Sequence, residues 1–138
     1  MSRMLISNID TSKTFGAGLR TATGNYTNSG YDDDVLAEGT VMGRISATGL
    51  LTPLTSGASD GSQFPVGILL TDYTVEGGDT IELTIAVAGD VDENKIVLQG
   101  SDTLDTVISG RRIRDRIGSD TVGIKLVGGT QLTGFDNQ

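Results

Sequence analysis

Residues 80–87, "TIELTIAV", alternate without a fault: Ile81, Leu83, Ile85 and Val87 on one side, Thr80, Glu82, Thr84 and Ala86 on the other. A period of two is that of a β-strand with one face against a core. Immediately upstream, Glu76-Gly77-Gly78-Asp79 reads as a tight turn. Further upstream, "PVGILL" at 65–70 is a continuous apolar run, which predicts a strand buried on both faces. Gly67 inside that run implies a bulge or a close backbone approach. The run follows Asp60-Gly61, a turn pair. Earlier still, Val41, Gly43 and Ile45 alternate with Thr40, Met42, Arg44 and Ser46, and Thr48-Gly49 turns the chain into "LLTPLT". Pro53 places that segment at a sheet edge or a bulge. Downstream, Ile96 to Leu98 predict a short strand, and Val122, Ile124 and Leu126 a last one before Gly128-Gly129.

One helix is expected among these strands, at 103–117, with Asp102 as N-cap, Asp105 in the first turn, Arg112, Arg114 and Arg116 at the end, and Gly118 as the stop. Two features resist that reading. Leu104, Val107 and Ile108 share a face, while Ile113 and Ile117 fall nearly opposite, and Gly110 costs about 1 kcal/mol inside a helix. A break at Gly110 accounts for both. The run "RRIRDR" (111–116) reads as a helix end pairing with carboxylates of the protein, in preference to a phosphate or RNA site.

The composition agrees with a mainly β domain carrying one short helix. The chain has 138 residues, 20 of them Gly, with 4% aromatics and no Cys or His. That suits short strands joined by tight turns. The length allows one modest domain and an arm. No disulfide framework or thiolate metal site is possible, no apolar run approaches a bilayer span, and the N-terminus lacks the pattern of a signal peptide. Charge is uneven. Residues 1–31 have three basic and one acidic side chain, a net of +2; residues 32–138 have 7 basic and 17 acidic, a net of −10. An acidic body repels nucleic acid.

Residues 11–30, "TSKTFGAGLRTATGNYTNSG", differ from the rest: thirteen of the twenty are Gly, Ser, Thr or Asn, and neither helical nor strand period is visible. Such a segment buries too little apolar surface to offset its ordering entropy. It reads as part of a flexible arm, residues 1–33, ahead of a β-rich domain, residues 34–138. Met4, Leu5, Ile6 and Ile9 give the arm a sticky start, and Phe15 and Tyr26 add aromatic anchors. Asp32-Asp33-Asp34 marks a solvated boundary.

No catalytic constellation is found. Without His, a Ser-His-Asp arrangement is impossible, and no phosphate loop is present. "DVDEN" (90–94) opens like a calcium loop, yet its sixth position is Lys95 and its twelfth Ser101, so the turn-making Gly and the bidentate Glu are both missing. It reads as a polar turn. No metal, cofactor or catalytic residue is expected.

The order of these pieces resembles a known family. "EGTVMGRISATGLLTPLTSGASDGSQFPVGIL" (38–69) is similar to the head decoration proteins of tailed phages, the family of the phage lambda head protein D. The matching elements are Gly39-Thr40-Val41, Thr48-Gly49 with Pro53-Leu54, Asp60-Gly61, and Val66-Gly67-Ile68-Leu69. "AGDVDENKIV" (88–97) and "VGIKLV" (122–127) look like the family's later half, so the resemblance spans 34–128. It implies a small β-clip or β-tulip fold and a homotrimer on the outside of an expanded capsid, made in the host cytoplasm and carried on the virion. It also implies that the arm adds a strand to the major capsid protein. From the sequence itself, the expected shell contacts are the arm and the edge strand near Thr40–Ile45, and neither nucleic acid nor membrane is an expected partner. Two other classes compete: a phage receptor- or glycan-binding module, for which exposed aromatics are few, and a trimeric β-clip nucleotide enzyme, for which the Gly-Asp-Tyr-Arg-Gly catalytic motif is missing.

Overall fold

The computed structural model describes residues 14–121 and 123–128. Among the described residues, ten strands, one α-helix and a 3-10 turn at Glu93–Lys95 make a mainly β domain. β1 (Arg20–Thr27), β7 (Thr80–Asp92), β5 (Pro65–Leu69), β3 (Val41–Arg44) and β4 (Leu51–Pro53) form the main sheet in that spatial order, all antiparallel. β10 (Gly123–Val127) joins β7 in parallel. β2 (Asp34–Leu36) pairs with β6 (Tyr73–Val75), and β8 (Val107–Ile108) with β9 (Arg111–Arg112). α1 runs from Ile113 to Asp120.

The central strands β3 and β5 are buried on both faces, and consecutive residues serve two different cores. Val41 and Ile68 face one core with Leu54, Val91, Ile113, Ile117 and Ile124, which α1 covers. Met42 and Leu69 face the other with Leu36, Leu51, Val75, Leu83 and Ile85, which the β2–β6 pair covers. Each fully buried aliphatic side chain contributes roughly 1.5–3 kcal/mol. The expected reading of "PVGILL" therefore holds. Gly67 is where the chains close up: a Cβ there would lie 2.7 Å from the Ala86 carbonyl oxygen. Pro53 does sit in an edge strand of the main sheet, where its missing N–H breaks no ladder. The alternation of 80–87 continues into a 13-residue strand whose second half, from Ala86, is buried on both sides.

Four expectations are corrected. Residues 11–30 are not strandless: β1 pairs with β7 over its whole length, from Arg20↔Ala88 to Thr27↔Thr80. Its Thr and Asn face solvent on one side of an edge strand, so no apolar alternation was needed. The helix does not begin at Thr103. Ser109 and Gly110 have φ of 51° and 86°, successive positive values of the kind that close a two-residue hairpin turn, so 107–112 form β8 and β9. The helix starts after the hairpin and runs through Gly118. Ile96 to Leu98 form no strand; Val97 makes one isolated parallel bridge to Thr40. Lastly, β3 is interior, flanked by β5 and β4, so the segment near Thr40–Ile45 is not a sheet edge.

The arginine run is resolved as internal pairing. Arg112 reaches Asp115 and Asp105, and Arg114 pairs with Glu93, which holds its guanidinium above the ordinary arginine pKa. Arg116 is buried. It donates from Nε to the Ile108 carbonyl at 2.7 Å and from Nη2 to the Ser109 carbonyl at 3.2 Å. Nη1 bonds Asp120 at 3.0 Å, and the guanidinium lies 4.8 Å from the Phe64 ring centroid. One side chain thus ties helix, hairpin turn and core together.

Candidate binding surface

The N-terminal part of the described chain is a ribbon laid along β7. Residues 14–17 continue the β1 pairing, with Gly16 N to Asp90 O at 2.7 Å and Asp92 N to Thr14 O at 2.8 Å. The ribbon kinks at Gly18 and Leu19, against Gly89. Gly89 has φ of 118°, and a Cβ on it would lie 2.8 Å from Leu19 Cα. Phe15 bridges to Val91 and packs on the α1-side core. Tyr26 packs on the other core, and its hydroxyl donates to Asp34 Oδ2 at 2.6 Å. Burial, then the Asp34 carboxylate, pushes the Tyr26 phenol up to about 12. Both aromatic anchors predicted for the arm are therefore engaged within the domain. Met4, Leu5, Ile6 and Ile9 lie outside the described residues.

Asn28 makes the bend after β1. Its Nδ2 donates to the Asp32 carbonyl at 2.7 Å and the Val75 carbonyl at 2.9 Å, and its Oδ1 accepts from Gly30 N at 2.9 Å. This fixed bend presents Tyr31 fully to solvent beside Asp32 and Asp33.

The motif residues are pinning points of the framework. Gly39 has φ of 90°, and a Cβ there would lie 2.3 Å from the Lys95 carbonyl oxygen. The chain at 95–97 crosses at that point, with Val41 N bonded to Val97 O at 3.1 Å. Asp60 Oδ1 accepts from Ser62 N at 3.0 Å and Ser62 Oγ at 2.6 Å, which holds its carboxyl below the ordinary range. Gly61, with φ of 104°, lets this loop press on Arg44 and Ser46. Val41 and Ile68 are core residues; Val66 is half-buried against the β2-side core.

The chain matches the family model of the bacteriophage lambda head decoration protein D over residues 28–107, more than half of its length. The chain belongs to that family. Its members are structural proteins of the phage capsid, and a capsid decoration role and virion location follow for this chain. Among curated proteins none matches. The head decoration match begins at the Asn28 bend and ends at Val107, so the Arg116 clamp and β10 lie beyond it.

The surface of this decoration protein carries two depressions. A polar one of about 380 Å³ is lined by Tyr26, Asn28, Ser29, Asp34, Leu50 and Thr52, among others. A smaller apolar one of about 180 Å³ is lined by Val35, Leu36, Ala37, Pro53, Val97 and Leu98, among others. Among the described residues no carboxylate group gathers into a metal-holding cluster. Sequence reasoning missed Asn28, and missed the Arg116 bonds to Ile108 O and Ser109 O, because backbone partners leave no side-chain pattern. The one local signal was Asn28-Ser29-Gly30, a spacing that suits a side-chain-to-backbone turn.

Proposed function

We propose that the protein is a cement for the phage head: a homotrimer that binds the outer surface of the expanded shell at three-fold positions, with its N-terminal arm adding a strand to the major capsid protein. The family match over residues 28–107 carries this reading. We assign the arm to the segment ahead of Thr14, because residues 14–27 already pair along β7. This narrows an arm of residues 1–33 to its first thirteen. The sequence division at residue 33 then marks a bend, built on Asn28.

Strand addition suits residues with little side-chain chemistry, because main-chain hydrogen bonds supply the contact. Each is worth only about 0.5–1.5 kcal/mol net, so a single arm binds weakly once its ordering is counted. Three arms on one trimer engage successively at high effective concentration. Binding the expanded shell in preference to other states stabilises it by mass action. The net −10 of residues 32–138 suits a body held in solvent.

The test is co-sedimentation with expanded, undecorated heads, using the full chain and a chain lacking residues 1–13. Saturable pelleting of the full chain alone supports arm-mediated decoration. Pelleting of both assigns the contact to the body and removes the arm from the account. Pelleting of neither removes the cement role and favours the receptor-binding class.

A further inference from the structure

Asp60-Gly61 is the one Asp-Gly pair in the chain, and no Asn-Gly occurs. Such a pair carries its own chemistry. The glycine has no Cβ to keep its amide nitrogen away from the aspartate side chain, so Gly61 N can attack Asp60 Cγ and close a five-membered succinimide. A bond forms between N and Cγ. The protonated carboxyl gives up its hydroxyl and the amide its proton, together one water. Water then adds back. Addition at Cγ restores aspartate. Addition at the main-chain carbonyl carbon of Asp60 gives isoaspartate, with the chain now running through Cβ and Cγ. No co-reactant but water is needed.

The fold opposes each part of that ring closure. The peptide unit between the two residues is held at both ends: Ser46 N donates to the Asp60 carbonyl at 2.8 Å, and Gly61 N donates to Gln63 Oε1 at 2.9 Å. Closure strips the proton from Gly61 N, so the bond to Gln63 must go, and rotation of the unit strains the bond from Ser46. The carboxyl is held too. Its Oδ1 accepts from Ser62 N at 3.0 Å and from Ser62 Oγ at 2.6 Å, and Ser62 is buried. Those bonds favour the ionised carboxylate, which has no hydroxyl to lose. The product fits no better. Isoaspartate lengthens the chain by one atom where Gly61 already leaves no room, since even a Cβ there would lie 2.3 Å from Ser46 Oγ and 2.8 Å from the Arg44 carbonyl oxygen. It also moves the acceptor of Ser46 N off the main chain and onto a pendant carboxylate. We propose that Asp60-Gly61 is a latent isoaspartate site, kept intact by Ser46, Ser62 and Gln63 while its loop is closed, and that its conversion unpins the loop from the end of β3. The reaction runs through the open loop, so its rate in the folded protein is the intrinsic rate scaled by the open fraction. The inference goes beyond the cement role and does not depend on it.

The test incubates the full chain and its Gln63→Ala and Gln63→Glu variants at neutral pH, each folded and in urea, and measures isoaspartate at residue 60 by peptide mass spectrometry. Circular dichroism checks that the folded samples are folded. In urea all three are expected to react alike. Folded, the unaltered chain is expected to react at least about tenfold more slowly than in urea. Folded Gln63→Ala is expected to react about threefold or more faster than the folded unaltered chain, the effect of losing one hydrogen bond from the closed loop. Gln63→Glu keeps an acceptor oxygen and is expected to stay near the unaltered rate. Converted protein, separated by ion exchange, is expected to show faster amide exchange at Ser46 than unconverted protein. Equal rates for the unaltered chain folded and in urea overturn the proposal, because the loop then protects nothing. So does a folded Gln63→Ala that reacts no faster than the unaltered chain. The comparison of the unaltered chain folded and in urea needs no variant, so it decides the matter even where Gln63→Ala fails to fold.

Discussion

Gly61 and Gly57 stand four residues apart in one loop and differ in what surrounds them. At Gly61, with φ of 104°, a Cβ would lie 2.3 Å from Ser46 Oγ and 2.8 Å from the Arg44 carbonyl oxygen; at Gly57 nothing lies within 4 Å. Gly61→Ala is expected to destabilise by roughly 2–4 kcal/mol, and Gly57→Ala to be neutral or to stabilise by up to about 1 kcal/mol, in urea unfolding. Tyr26 gives a pH prediction. Its phenol, ordinarily near 10, is raised to about 12 in the folded protein. Below pH 10 both states hold the proton and the stabilisation is complete. Between 10 and 12 the unfolded chain releases its proton first, so stability falls as pH rises. Tyr26→Phe is expected to flatten this fall, as read by urea midpoints across that range. Gly61 and Gly67 were legible in sequence, because a glycine beside a turn or inside an apolar run marks a place where a side chain would not fit. The Tyr26–Asp34 bond was not, since eight residues and a bend separate the partners.

The helix and hairpin between residues 103 and 120 show how charge pattern misleads when turn chemistry is ignored. Arginines near a glycine look like a helix end, yet Ser109-Gly110 folds a hairpin and the helix follows it. Opposed apolar faces at 104–108 and 113–117 were the visible sign that two elements share this stretch. Arg116 holds them together through Ile108 O, Ser109 O and Asp120. Arg116→Ala removes the donor to the buried Ile108 carbonyl and leaves Asp120 without its partner, and is expected to cost about 3 kcal/mol, with faster hydrogen exchange in the hairpin. Arg116→Lys is expected to recover little, since an ammonium cannot reproduce the planar fork. Ser109→Gly relieves a φ of 51° and is expected to stabilise by about 0.5–1 kcal/mol, seen as a raised urea midpoint.

For the molecule as a whole, the long β7 organises everything: the N-terminal ribbon and β1 along one side, β5 and β10 along the other. The strands β5 and β7 were readable because two-sided burial writes an unbroken apolar run and one-sided burial a period of two. The ribbon was not, because an edge strand of Thr, Gly and Asn carries its pairing in the backbone alone. Deleting residues 1–13 is therefore expected to move Tm by less than about 4 °C, while deleting 1–27 removes β1 and prevents folding, as circular dichroism melts would show. The most direct measurement on the cement role is cryo-electron microscopy of expanded, undecorated heads incubated with the full chain. The account predicts three-lobed density on the outer surface at three-fold positions, with a strand from each lobe's N-terminal segment continuing into a sheet of the major capsid protein. Bare three-fold positions, or density attached only through the β-rich body, would contradict it.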